Sequence, residues 1–396
     1  MTLRIPRRAA LLGTLAAPFL AREGFAQAET IRIGTLTPQT GAGGTYGPSM
    51  VKAIRAVVEE VNGAGGLLGR KIELISEDDE TNPDAGVRAA RKLIDVNRVI
   101  AIIGTWASGV TTAVAPLCWE NKVMLFTVSG ADNITQLPHQ GYIIRTQPTS
   151  TLQSDRAAQF MLAQGWKKVG FLSAQTPFAV STYDRVGQVL KAGGSTTVGN
   201  VIYDASKTSF RSEVDEILKG QPDSLFLNGY QPDELIILRD LFRAGYEGKK
   251  YTPAYAANDK LIAALPAEVT EGLIAYAPSP DLNSPAYKTV QGVVGNNPDP
   301  YSCQTFDHIN LALLAIAKAG TATGPAIHDS VRAIGNPKGT VVNGTLAGLK
   351  LLAAGQEVNY SGASGPCQFT QIGDISGCKF RFDIVEKGKT RMLDLS

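Results

Sequence analysis

The chain runs to 396 residues and sets 38 Lys and Arg against 36 Asp and Glu, a formal net charge of +2. The first 28 residues hold Arg4, Arg7, Arg8 and Arg22 against Glu23 alone, so without them the +2 falls by three to −1. A nearly neutral chain of this length can fill two domains and lacks the basic face that holds nucleic acid or an anionic membrane.

Residues 1–28 read as an export signal. Three arginines precede the apolar stretch from Ala9 to Leu20, and Ala26-Gln27-Ala28 supplies small residues for cleavage after Ala28. The apolar run is shorter than the roughly 20 residues that span a bilayer. Pro6-Arg7-Arg8-Ala9-Ala10-Leu11-Leu12 is similar to a twin-arginine signal, but no Ser or Thr precedes the arginines and no Phe follows. The twin-arginine and general secretory routes both stay open.

Beyond the signal the pattern alternates. IRIGTL (31–36) is a strand, and Val51, Ile54, Val57, Val58 and Val61 then recur at helical spacing until Asn62-Gly63-Ala64-Gly65-Gly66. KIELIS (71–76) is a strand and a helix over 84–96 follows Pro83. VIAIIG (99–104) and VMLFTV (123–128) are further strands. The scheme repeats with KVGFLS (168–173), a helix over 179–192, TTVGNVIYD (196–204), a helix over 209–219, SLFLNG (224–229), a helix over 233–244 and YTPAYA (251–256). Short β-branched strands between amphipathic helices predict an α/β fold of two doubly wound parallel-sheet lobes. Ligands of such sheets gather beyond the carboxyl ends of the strands, here in the cleft between the lobes. The Gly- and Pro-rich passages 277–300 and 359–366 read as connections between lobes.

The turn in AIIGTWASGVTTAVAP (101–116) has three possible uses. Gly104 and Gly109 have the spacing of a phosphate loop, but Val110 stands where its lysine must be. A nucleophile elbow around Ser108 lacks both glycines, with Trp106 and Val110 in their places. The third use is a small-anion cradle of free N–H groups at a helix start beside a serine hydroxyl. Ser108 is also a preferred helix cap.

Four cysteines in an exported chain allow three pairings. Cys367 and Cys378 are symmetric about residues 372 and 373 in GPCQFTQIGDISGCKF, so a hairpin there would set them opposite each other and predicts a disulfide. Cys118 and Cys303 are left open. Glu77-Asp78-Asp79-Glu80 lacks the spacing of a calcium loop, and His139, His308 and His328 are scattered, so no metal is expected. No cofactor is expected either.

TLTPQTGAGGTYG, VNGAGGLLGRKIEL, EDDETNP, NGYQPDE and TFDHINLALLAI, in this order, resemble the leucine/isoleucine/valine-binding solute receptors of ABC transporters. That resemblance implies a type I periplasmic binding fold with three crossovers, lobe 1 being 29–148 plus 277–360 and lobe 2 being 149–276 plus 361–396. It also implies a periplasmic, monomeric, non-enzymatic receptor that hands a small molecule to an inner-membrane ABC permease. By the same likeness Ser108, with Ala107 beside it, holds a ligand carboxylate. Thr127-Val128-Ser129-Gly130-Ala131 is the next contact segment, with the Ser129 backbone on the ligand, and Tyr46, Phe178 and Tyr230 form an aromatic wall.

Two positions depart from the family. Ala131 replaces a threonine, and Tyr255 replaces the glutamate that pairs with an amino-acid ammonium. A buried ammonium without a counter-charge costs several kcal/mol. The expected ligand is therefore a carboxylate with an apolar or aromatic body among Tyr46, Trp106, Phe178, Tyr230 and Tyr255, each aromatic pair adding about 0.5–1.5 kcal/mol. The alternative is a branched-chain amino acid, with Asp259 as the substitute acid. A ligand-sensing regulator and a hydrolase with Ser108 as nucleophile are rivals from other classes. The first lacks an output domain, and the second an identifiable base.

Overall fold

The computed structural model describes residues 29–205 and 207–396, so the expected export signal lies outside the described residues. The first lobe opens with β1 (Ile31–Thr37), α1 (Gly47–Gly63), β2 (Ile72–Asp78) and α2 (Pro83–Arg91), which runs on as one π-helical turn, Lys92–Val96. It continues through β3 (Ala101–Gly104), α3 (Ser108–Glu120), β4 (Met124–Thr127), α4 (Asn133–Gln136) and β5 (Ile143–Arg145). These strands form a parallel sheet in the order β2-β1-β3-β4-β5. The alternation of a strand divides their side chains between two cores. Ala101, Ile103, Met124, Phe126 and Ile144 enter one, and Ile102, Leu125 and Ile143 the other.

The second lobe holds α5 (Ser150–Ala163), β6 (Lys168–Ala174), α6 (Pro177–Ala192), β7 (Thr196–Tyr203), α7 (Arg211–Leu218), β8 (Ser224–Asn228) and α8 (Gln231–Arg243). It proceeds through β9 (Lys249–Pro253), α9 (Asp259–Ala264), α10 (Ala267–Thr270) and β10 (Leu273–Ser279). The chain then returns to the first lobe with α11 (Pro285–Val294), α12 (Pro300–Ala319), α13 (Gly324–Ile334), β11 (Thr340–Val342), α14 (Thr345–Ala353) and β12 (Val358–Tyr360). It ends in β13 (Lys379–Glu386) and β14 (Lys389–Leu395), completing a sheet ordered β14-β13-β10-β9-β8-β6-β7. These last two strands are antiparallel, an addition to the parallel lobe expected from sequence. The turn joining them, Lys387 and Gly388, takes positive φ at both positions (51° and 71°), the geometry that suits a two-residue hairpin.

Local signals set the helix that later reaches the site. Asp299 caps α12 by accepting the N–H groups of Tyr301 and Ser302, both at 3.0 Å. Pro300 supplies a preset φ in its first turn, and Gly320 ends it in the left-handed conformation at φ 70°.

Residues 361–375, grouped with the second lobe on sequence, pack against the first. Cys367 lies in the core with Ile31 and Phe126. The Asp307 carboxylate accepts the N–H groups of Ala363 (2.8 Å) and Ser364 (2.7 Å). Arg145, fully buried at the end of β5, pairs with Asp374 at 2.6 Å. The last crossing therefore comes between Ile375 and Lys379.

The Cys367–Cys378 disulfide is absent, and all four cysteines are free. The hairpin does form, but its bridge opposes Phe369 to Ile375, a register that sets Cys367 against Gly377. A shift of one residue turns side chains to opposite faces. Cys367 enters the first-lobe core, and Cys378 packs on the core around Phe160 and Phe382 in the second.

Candidate functional site

The turn after β3 is built on strain that its neighbours absorb. Gly104 sits at φ 124°, where an added Cβ would lie 2.3 Å from the Leu36 carbonyl oxygen. Thr105 is left-handed at φ 54°, uncommon for a β-branched residue. Its N–H donates to the Leu36 carbonyl (2.6 Å), and its own carbonyl accepts the hydroxyls of Thr127 (2.8 Å) and Ser129 (2.7 Å). These bonds aim Trp106, Ala107 and Ser108 outward at the carboxyl edge of the sheet.

Ala107, not Ser108, occupies the N-cap of α3, and no side chain caps that helix. The first-turn N–H groups thus keep their partial positive charge for a ligand. The Ser108 Oγ accepts the Ala131 N–H at 3.2 Å, which leaves its proton free to donate. Both features suit an acceptor with negative charge.

Above this turn lies a cleft with about 400 Å³ of empty space, mouth included. Trp106, Ala107, Ser108, Val128, Gly130 and Gln147 line it from the first lobe. Thr176, Phe178, Tyr230 and Tyr255 face them from the second, and Tyr301 closes one side from the start of α12. Trp106 is the hub: its ring centroid lies 5.3 Å from Tyr230, 5.6 Å from Tyr255 and 5.7 Å from Tyr301. Gly130 is bare because Phe178 presses on it. A Cβ there would lie 2.8 Å from the ring and 2.8 Å from the Gln153 amide.

Tyr46 does not line this cavity. It stacks behind Trp106 at 5.6 Å, and its hydroxyl donates to the Tyr255 carbonyl at 2.8 Å, joining the lobes. Ser129 and Ala131 also lie outside the lining. The Ser129 hydroxyl is spent on the Thr105 and Trp106 carbonyls. Ala131 acts through its backbone, its N–H on Ser108 and its carbonyl accepting Arg145 Nη1 at 2.7 Å. Tyr255 is not a core strand residue, since β9 stops at Pro253, whose carbonyl takes the Ala256 N–H at 3.0 Å.

Sequence reasoning placed Val128 in the contact segment after β4 but missed Gln147, Thr176 and Tyr301. Tyr301 had a signal, since Asp299-Pro300 marks a helix start that aims the next residue. Gln147 follows an edge strand and had none.

Among the described residues, no charged side chain lines the cavity. Asp259 borders a separate cavity behind Tyr46, shared with Asp299 and Arg381. Glu234 is fully buried, accepts from the Thr252 hydroxyl (2.6 Å) and the Gly229 N–H (3.1 Å), and is held well above the usual carboxylate range by burial. Burial raises Asp79 to about 7, and its Oδ2 has no partner. Burial likewise raises the Tyr230, Tyr255 and Tyr301 phenols, which stay neutral donors at ordinary pH. Among the described residues, no three or more His, Cys, Asp or Glu side chains gather as a metal site requires.

A family model described as "Periplasmic binding protein" matches residues 30–372. A Leu/Ile/Val-binding protein, BraC3, of Rhizobium johnstonii is 29% identical over 234 residues, spanning 58% of this chain and 63% of the relative. Among solved structures, the leucine binding protein LivK of Thermotoga maritima superposes with a TM-score of 0.79 at 22% identity, covering 92% of this chain and 98% of its own. An ABC-transporter solute binding protein from R. palustris in complex with benzoate gives a TM-score of 0.75 at 19% identity, covering 93% and 96%.

Proposed function

The chain belongs to the periplasmic binding protein family and is a solute-binding receptor, and we propose that the solute it traps is a small carboxylate with an apolar or aromatic body. One observation carries this reading: an uncapped helix start and a free serine proton face an aromatic cavity without a charged side chain. The ligand carboxylate takes the Ser108 hydroxyl and the first N–H groups of α3, and a ring or alkyl body lies among Trp106, Phe178, Tyr230, Tyr255 and Tyr301. Because those rings come from both lobes, the ligand favours the closed arrangement and shifts the population toward it. In this reading the signal is cleaved after Ala28, the receptor works in the periplasm as a monomer, and an inner-membrane ABC permease receives the closed form.

The benzoate complex of the R. palustris protein supports an aromatic acid. The Rhizobium relative supports a branched-chain amino acid as the second reading. That ligand brings an ammonium, and neither Asp259 nor Glu234 lines the cavity to meet it.

Thermal shift on ligand-stripped protein separates the two, with phenylalanine against 3-phenylpropionate and leucine against 4-methylpentanoate. A ligand at 100 times its Kd stabilises by about 2.7 kcal/mol. Stabilisation by the amine-free acids alone is expected. Stabilisation by the amino acids would overturn the reading and restore an ammonium partner.

A further inference from the structure

Gln147 is the one amide in the cavity wall. It lies just past β5, is 4% exposed, and lines the same space as Ser108. Its Oε1 accepts from Gln304 Nε2 of α12 at 2.7 Å, which fixes the plane of the amide. Its own Nε2 makes no hydrogen bond among the described residues. That donor is left open to the cleft with its plane already fixed, so a ligand oxygen there gains a hydrogen bond from a pre-oriented group.

The sheet sets where that oxygen lies. Ser108 follows β3 and Gln147 follows β5, with β4 between them. Adjacent strands are about 4.8 Å apart, so the two segments leave the sheet about 10 Å apart, and their side chains close part of that gap. A ring lying along this wall, its carboxylate on Ser108, can turn a substituent toward Gln147. Trp106 and Phe178 flank such a ring.

We propose that Gln147, braced by Gln304, reads a hydroxyl on the ligand's ring, so that the receptor selects ring-hydroxylated aromatic monocarboxylates over their unsubstituted parents. A hydroxyl suits this position because it both accepts and donates. It satisfies Gln147 with the amide as drawn, and equally if both glutamine amides are turned over. A second carboxylate there would be a buried charge with no cation in the wall. The buried Gln304 Oε1 has no partner either, so the glutamine pair is completed only from one side. This inference rests on the carboxylate reading of the site.

The test is calorimetric titration of the ligand-stripped protein with benzoate, 3-hydroxybenzoate and 4-hydroxybenzoate, repeated with Gln147→Met and Gln304→Met. The wild-type protein is expected to bind one hydroxy acid about tenfold more tightly than benzoate. Gln147→Met brings that ratio close to one. Gln304→Met, outside the cavity, lowers it by freeing the amide, and carries the comparison alone if Gln147→Met does not fold. Benzoate binding without a hydroxyl preference, or an unchanged preference in the folded variants, overturns the role of Gln147 and leaves the carboxylate reading in place. If none of the three benzoates binds the wild-type protein, this inference fails, and the carboxylate reading fails with it only if 3-phenylpropionate and 4-methylpentanoate also leave the protein unstabilised.

Discussion

The Ser108 hydroxyl accepts the backbone N–H of Ala131 at 3.2 Å, so the turn after β3 and the turn after β4 hold each other. Ala131 is in turn held by Arg145, whose guanidinium donates to the Ala131 carbonyl at 2.7 Å and pairs with Asp374 at 2.6 Å. The last crossing of the chain is thereby tied to the residue best placed to meet a carboxylate.

Ser108→Ala removes the donor to that carboxylate. Hydrogen bonds to charged groups are worth about 1.5–3 kcal/mol, so affinity for 3-phenylpropionate should fall about ten- to a hundredfold by calorimetry. The ligand-free melting temperature should drop by only a few degrees, because the variant loses just the Ala131 contact. Unchanged affinity would remove Ser108 from the site.

Tyr46→Phe tests closure without altering the cavity wall. The phenol donates to the Tyr255 carbonyl at 2.8 Å and accepts from Asn258 Nδ2 at 3.2 Å, both across the lobes. Its loss makes closing less favourable, and affinity should weaken about three- to tenfold. The maximum dimension of the ligand-free protein by small-angle scattering should rise.

Asp79 sets a pH dependence. Burial raises its folded value to about 7 from 3.8, so folding takes up a proton between those values. Its contribution to stability is fully present below about pH 4 and is lost as pH rises through 7. Asp79→Asn keeps the Oδ1 that accepts the Thr81 N–H at 2.8 Å and removes the titration. The variant should match the wild-type melting temperature at pH 4 and exceed it at pH 8, by an increment of the order of a few kcal/mol. His308, lowered to about 3 by burial, acts in the opposite sense, its stability lost as pH falls, and is common to both proteins.

Thiol titration of the denatured, unreduced protein should give four free thiols, because all four cysteines are unpaired. The native protein should react slowly, since Cys118, Cys303 and Cys367 are buried. Two thiols missing from the denatured count would restore a disulfide.

Much of this was legible in the residues themselves. Hydrophobic period and turn chemistry place β1 to β4 and β6 to β9, with most of the helices between them, to within a few residues, because those are local properties of strand and helix, while β5 and α5 went unread. Ser108, Gly130, Phe178 and Tyr230 came from the likeness to the solute-receptor family, Trp106 and Tyr255 from the turns beside those motifs, and all six line the cavity. What failed was non-local. The hairpin register that separates Cys367 from Cys378 differs by one residue, and no sequence count resolves it. Tyr46 moved from the wall to the layer behind Trp106, and Gln147 and Tyr301 entered the wall, because chain crossings bring distant segments together. The chain alone determined two α/β lobes, since these follow from residue type and spacing, whereas the carboxylate role of Ser108 and the missing ammonium partner rest on the family likeness and belong to the proposal. Only the tertiary structure decided which aromatics line the cavity, which glutamine lies among them and which core residues 361–375 pack against. Each of those depends on how the three crossings close one lobe on the other.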